Sequence, residues 1–228
     1  MEAIVLAGGF GTRLQKVVSD VPKPMAPIGD KPFLEYLLKY LQKNGIRKVI
    51  LSVGYKWEVI KEYFGDKFGD IDIIYSIEEE PLGTGGAVSK AMNLVQNEYA
   101  FVLNGDTFFD IDLSSMSLKE GSLLQLSLKK MYAFDRYGCV ETVNGHVVKF
   151  TEKRYHKEGT INGGVYLASK NIFDVLSANK MTRFSFENFM EENIDKLKIT
   201  AKVFEDYFID IGIPEDYEKA QEDLKAYL

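Results

Sequence analysis

Four short apolar runs in the first half of the chain constrain the fold more than any other feature. Residues 3–7 (AIVLA), 48–53 (KVILSV), 71–77 and 99–103 (YAFVL) read as strands. Between them, 32–44 sets Phe33, Tyr36, Leu37, Tyr40 and Leu41 at helical spacing, with Pro32 at its start and Gly45 at its end. A second helix is predicted over 56–64, burying Ile60, Tyr63 and Phe64, and a third over 86–95. Near-continuous apolar strands that alternate with helices indicate an α/β fold, with a parallel sheet covered on both faces.

After residue 112 the texture changes. Residues 122–130 alternate Leu with polar side chains, 138–153 reads as two short strands around the turn Asn144-Gly145, and 161–168 and 199–210 add further strand signal. Pro214 opens a closing helix over 214–226. This half reads as a mixed extension of the same sheet. No linker or internal repeat separates the two, so the expectation is one domain with halves 1–112 and 113–228.

Bulk properties exclude several classes. The 228 residues carry a net charge of −6, whereas nucleic acid and anionic membranes reward a basic surface. Cys139 is the only cysteine, which rules out an intrachain disulfide and fits a reducing compartment. With His146 and His156 as the only histidines, a zinc site of the usual ligand count is not expected. The apolar run at the N-terminus stops at Gly8, and no stretch approaches the roughly 18 residues that span a bilayer. The expectation is a soluble cytoplasmic enzyme with neither nucleic acid nor membrane as partner. An aromatic share of 13% leaves room for a homodimer patch and fits a large core equally well.

Leu6-Ala7-Gly8-Gly9-Phe10-Gly11-Thr12-Arg13-Leu14 follows the first strand, at the edge where open α/β sheets bind ligands. Its glycines let backbone N–H groups approach phosphate oxygens, and Arg13 adds a fork of donors. It is neither the dinucleotide fingerprint nor a P-loop. A tight turn with a surface arginine is the plainer reading of this segment alone. Next comes Val21-Pro22-Lys23-Pro24-Met25-Ala26-Pro27, where prolines hold Lys23 on a stiff loop. Such a lysine suits charge developing on a transferring phosphoryl group, or it is simply solvated.

Together, LAGGFGTRL…PKPMAPIGDKP resembles the signature of the sugar-1-phosphate nucleotidyltransferases, with further matches at PLGTGGA (81–87), NGD (104–106), YGCV (137–140), TEK (151–153), NGGVY (162–166) and FIDIG (208–212). The resemblance spans nearly the whole chain. Lys16 departs from it, where many relatives have proline. It implies a Rossmann-like three-layer fold around a mixed, mostly parallel sheet. By resemblance, Arg13 and Lys23 are catalytic: Arg13 holds a triphosphate and Lys23 stabilises the α-phosphate under attack. Leu6, Ala7, Gly8, Gly9, Gly11, Thr12, Gly83, Thr84, Asn104 and Gly105 are expected around the nucleotide. Asp106 and Asp210 are expected to hold Mg²⁺, whose taste for hard oxygen ligands fits a carboxylate pair completed by substrate oxygens. Asp110 and Asp112 read as a polar turn or helix start. Lys153 is expected on the sugar's 1-phosphate, with Glu152, Asn162 and Gly163 on the sugar, while Gly138 lets the chain approach the ligand. A strand-end surface charge is the plainer reading of Lys153.

Glu78-Glu79-Glu80 precedes PLGTG. Guanine offers two donors that a carboxylate accepts well, so Glu80 or Glu78 is expected to read the base of GTP, unless the run is a solvated acidic turn. The short chain leaves no room for a β-helix tail. It resembles the guanylyltransferases that act on D-glycero-D-manno-heptose 1-phosphate in bacterial surface-polysaccharide synthesis, giving a GDP-sugar. Alternatives are a mannose-1-phosphate guanylyltransferase, a short uridylyl- or thymidylyltransferase, a glycosyltransferase using Asp110 and Asp112, and a non-catalytic sensor.

Overall fold

The computed structural model describes residues 1–9, 21–175 and 183–227. Strands and helices alternate from the start: β1 (Glu2–Leu6), a small ribbon β2 (Pro27–Ile28) and β3 (Lys31–Pro32), α1 (Phe33–Lys43), β4 (Lys48–Val53), α2 (Trp57–Phe64), β5 (Lys67–Phe68), β6 (Ile71–Ile77), α3 (Gly83–Met92) and β7 (Tyr99–Asn104). Then follow β8 (Thr107–Phe109), β9 (Leu124–Phe134), β10 (Val140–Val143), β11 (His146–Phe150), β12 (His156–Ser169), α4 (Phe186–Glu192), α5 (Ile194–Leu197), β13 (Thr200–Phe204), β14 (Phe208–Asp210) and α6 (Pro214–Asp223).

Ten strands form one sheet in the order β10-β11-β13-β9-β12-β7-β1-β4-β6-β5. The run β7-β1-β4-β6 is parallel throughout, whereas β12 enters antiparallel to β7 and couples the second half of the chain to the first. The expected α/β fold with a mixed sheet is therefore what the chain adopts. Alternation along β1 produces the three layers: Ala3 and Val5 face a core shared with α1 and α2, and Ile4 faces the one shared with α3 and α4. Each such buried side chain contributes roughly 1.5–3 kcal/mol.

The strands expected at 48–53 and 71–77 lie at those positions, and α1 runs between Pro32 and Asn44 as its pattern predicts. Asn144 and Gly145 both take positive φ in the turn between β10 and β11. Four details differ. The third helix starts at Gly83 rather than 86, because its first turn is secured from elsewhere: the Gly85 N–H donates to the Phe184 carbonyl (2.9 Å) and the Leu82 N–H to Glu78 Oε2 (3.0 Å). The signal at 199–210 splits into β13 and β14, and Lys129 Nζ holds the carbonyls of Glu205 and Asp206 between them at 2.7 and 2.8 Å. β12 begins at His156, five residues before the strand signal expected at 161, since His156 pairs in register with Phe134. Tyr63 is 50% exposed, its hydroxyl donating to Glu35.

Candidate active site

The carboxyl ends of four neighbouring parallel strands open into one pocket of about 610 Å³. Leu6, Gly8 and Gly9 come from the end of β1, Gly54 and Tyr55 follow β4, Glu78 and Glu79 follow β6, and Asn104, Gly105 and Asp106 close β7. The start of α3 adds Pro81, Gly83, Thr84 and Ala87, and Lys23, Pro24 and Glu187 complete the lining. This is the edge at which open α/β sheets bind ligands.

Lys23 sits in a single 3₁₀ turn between Pro22 and Pro24, and its side chain is mostly buried. Its ammonium donates to the Asp106 carboxylate. The antiparallel ribbon of β8 and β14 brings in Asp210, which lies opposite Thr107, while the Ile211 N–H donates to the Asp106 carbonyl at 2.9 Å. Asp210 Oδ1 accepts from the Gly212 N–H at 2.7 Å. A Cβ on Gly212 would lie 2.8 Å from that oxygen and 3.3 Å from Lys23 Nζ, so this glycine is what lets lysine and carboxylate approach. Burial pushes the Asp210 carboxyl above its usual range and the Asp106 charge adds to this; Lys23 and the Gly212 N–H oppose both. Two carboxylates held together in a partly dry site are a donor set suited to a hard divalent cation. Among the described residues, no cluster of three or more His, Cys, Asp or Glu forms a metal site of its own.

At the other end of the pocket, Glu78 is largely committed to the fold. Its Oε2 takes the Leu82 N–H, its Oε1 lies 3.4 Å from Ser52 Oγ, and a Cβ on Gly8 would meet that oxygen at 2.8 Å. Glu79 shares the lining, whereas Glu80 is exposed and outside it. Thr84 donates to Glu187 Oε2 (3.0 Å), which also accepts from Ser185 Oγ (2.8 Å), while Thr84 Oγ1 accepts the Phe186 N–H (2.8 Å). The segment before α4 is thereby fastened to the pocket wall.

The structure therefore gathers Leu6, Gly8, Gly9, Lys23, Glu78, Gly83, Thr84, Asn104, Gly105 and Asp106 around one space. Ala7 is buried behind it, its N–H donating to the Ser52 carbonyl. Gly11, Thr12 and Arg13 lie outside the described residues. On the other half, Gly138, Glu152, Lys153, Asn162 and Gly163 do not line this pocket. At Gly138 a Cβ would sit 2.0 Å from the Thr151 carbonyl oxygen, so its bareness admits the chain's own backbone. It thereby places the turn that carries Glu152 and Lys153, both exposed. Gly163 likewise makes way for the Phe109 ring, and Asn162 spends its amide on Tyr166 Oη (2.8 Å) and the Gly164 N–H (3.1 Å). Asp112 caps a 3₁₀ turn through the Ser114 N–H, as its reading as a helix start anticipates.

Sequence reasoning missed Gly54, Tyr55, Glu79 and Glu187. The first three follow predicted strands directly, so the strand-end rule alone could have found them. Glu187 arrives from residue 187 through contacts that no local pattern announces.

An edge-of-sheet pocket bordered by glycines, with a mostly buried lysine against one of two paired aspartates, suits phosphate chemistry. The chain belongs to the nucleotidyl transferase family, which matches residues 2–226. It is similar to the D-glycero-alpha-D-manno-heptose 1-phosphate guanylyltransferases of Campylobacter jejuni (57% identical over 95% of this chain and 97% of the relative) and Aneurinibacillus thermoaerophilus (52% identical over the whole of both). Among solved structures, HddC from Yersinia pseudotuberculosis complexed with GMP-PN matches with a TM-score of 0.82 and 38% identity, over 98% of this chain and 99% of that one.

Proposed function

We propose that this chain transfers GMP from GTP to D-glycero-D-manno-heptose 1-phosphate, giving a GDP-sugar and pyrophosphate for surface-polysaccharide synthesis. The observation that carries the chemistry is the Lys23, Asp106 and Asp210 cluster, of which Lys23 and Asp106 line the pocket. The two near full-length relatives and the GMP-PN-bound structure support guanine and heptose.

The nucleophile is an oxygen of the sugar phosphate, largely ionised near neutral pH because its second pKa is about 6. It forms a bond to the α-phosphorus of GTP as the bond from that phosphorus to the bridging oxygen breaks, and pyrophosphate leaves with the electron pair. No side chain needs to act as nucleophile, so catalysis is alignment and charge neutralisation. Backbone at Leu6–Gly9 and Asn104–Gly105 cradles the nucleotide. Lys23 turns its ammonium to the charge that builds on the α-phosphate, and Arg13 holds the triphosphate. Asp106 and Asp210 would hold Mg²⁺, which would supply further neutralisation of phosphate charge. Glu79, with Glu78 beside it, accepts from the guanine donors. Lys153 grips the sugar's phosphate and Glu152 its hydroxyls, which divides the labour between residues 1–112 and 113–228. The lone Cys139 fits work in the reducing cytoplasm.

Pyrophosphate release measured with ATP, CTP, GTP, UTP and dTTP against a panel of sugar 1-phosphates, with and without Mg²⁺, tests this. Release with GTP and the heptose phosphate, dependent on Mg²⁺, is expected. Preference for UTP or dTTP would discard the base assignment, and silence with every pair would discard the reaction.

A further inference from the structure

The segment that carries Lys23 has little regular structure to hold it. Between residues 21 and 32 it contains one 3₁₀ turn and two two-residue strands, and Pro22, Pro24, Pro27 and Pro32 remove four backbone donors. Part of the holding is done from α6, which begins four residues after Asp210. The Gln221 amide donates from Nε2 to the Pro27 carbonyl (2.8 Å) and accepts the Gly29 N–H at Oε1 (2.9 Å). One side chain thus pairs with the turn as a neighbouring strand would. The Tyr217 hydroxyl donates to the same Pro27 carbonyl. Tyr36 fastens the opposite side, donating to the Ile28 carbonyl at 3.0 Å. At its other end the segment is tied through Lys23 to Asp106. On the same helix, Asp216 pairs with Arg136 at 2.7 Å, two residues before Gly138.

We propose that Gln221 is a positioning residue: by pinning the Pro27–Gly29 turn to the helix that continues from Asp210, it fixes the Lys23 ammonium relative to the two aspartates. The inference rests on the role given to Lys23 above. A lysine reaches its target over four flexible carbons, so the base of that reach must be held if the charge is to be aligned. Neither Gln221 nor the turn it holds lines the pocket, so loss of the clamp lowers turnover and leaves substrate binding alone.

The test uses the full chain with Gln221→Met, which keeps length and helix propensity while removing both bonds, and Gln221→Ala as a second variant. A melting curve checks that each is folded. Both variants are expected to lower kcat by about tenfold to a hundredfold with KM for GTP nearly unchanged, in line with the cost of misplacing a catalytic group. Amide hydrogen exchange should quicken at Met25, Ala26 and Gly29. Wild-type kcat in folded variants, or a change in KM alone, overturns the proposal. Lys23→Ala is measured alongside: if it keeps its turnover, the role of Lys23 has failed, and faster exchange in the Gln221 variants then marks a clamp for stability only.

Discussion

Gly9, in the half of the sheet built on parallel strands, and Gly138 and Gly163, in the half where β12 runs antiparallel to both its neighbours, leave space that is used in opposite ways. In the parallel half, Gly9 stands past a strand end with nothing among the described residues within 4 Å of where a Cβ would be, and it borders the pocket. In the antiparallel half, the spaces left bare at Gly138 and Gly163 are filled by the Thr151 carbonyl and the Phe109 ring. Gly9 leaves its space beside the pocket open, although Gly8 and Gly105 nearby already meet Glu78 and the Leu6 carbonyl. Gly138 and Gly163 give theirs to the protein's own packing, and beyond them Glu152 and Lys153 stand exposed on a turn.

The seam between the halves gives the largest expected effect. Asp106→Asn should lower turnover by at least about a thousandfold, on the scale of losing a charge-stabilising group, with an unchanged melting curve. Near-normal activity would break the assignment of the aspartate pair. Gly138→Ala should destabilise the fold by about 1–3 kcal/mol, because the added methyl meets backbone that must shift. Gly9→Ala should leave the melting temperature alone and raise KM for GTP. If both variants melt alike, the contrast drawn above is wrong. Lys153→Ala should raise KM for the sugar phosphate about tenfold, the loss of one charge-assisted bond, without moving KM for GTP. Parallel rises in both constants would undo the division of labour.

The smallest effect is in stability. Glu2 pairs with Lys48 at 2.7 Å and accepts the N–H groups of Gln96 and Asn97, stitching β1 to the loop before β7. Burial alone would raise its pKa, but Lys48 and the two N–H groups outweigh this and hold it below the usual value. A lowered folded pKa means stability that is present above the unfolded value of roughly 4.3 and is lost as pH falls through the folded one. Glu2→Gln should therefore cost about 1 kcal/mol at pH 7, and the gap should close in melts below about pH 4.

What could be read in advance follows the same division. Strands β4 and β6 and helix α1 announce themselves because each is decided locally, by apolar runs or helical spacing between a proline and a glycine. Gly8 and Gly9, Lys23 and the NGD segment are legible as motifs of residue type, and the structure brings them around one pocket. The start of α3 is not, since Phe184, a hundred residues away, supplies its first partner. Nor is the purpose of Gly138: in sequence, a glycine that admits a ligand and one that admits a carbonyl are the same letter. Glu80 and Glu78 are equal candidates within one run of carboxylates, and only the path of the chain after β6 puts Glu78 in the pocket lining and Glu80 outside it.

The β8 and β14 ribbon also sets a timetable. Asp106 is synthesised near the middle of the chain, but Asp210, which the ribbon places beside it, comes more than a hundred residues later. A growing chain can contain every strand of the parallel half while Thr107 still waits for the strand that delivers the second carboxylate, and while α3 still lacks Phe184 and Glu187 at its first turn. Pocket wall and carboxylate pair are thus completed together, only as the last fifth of the chain arrives.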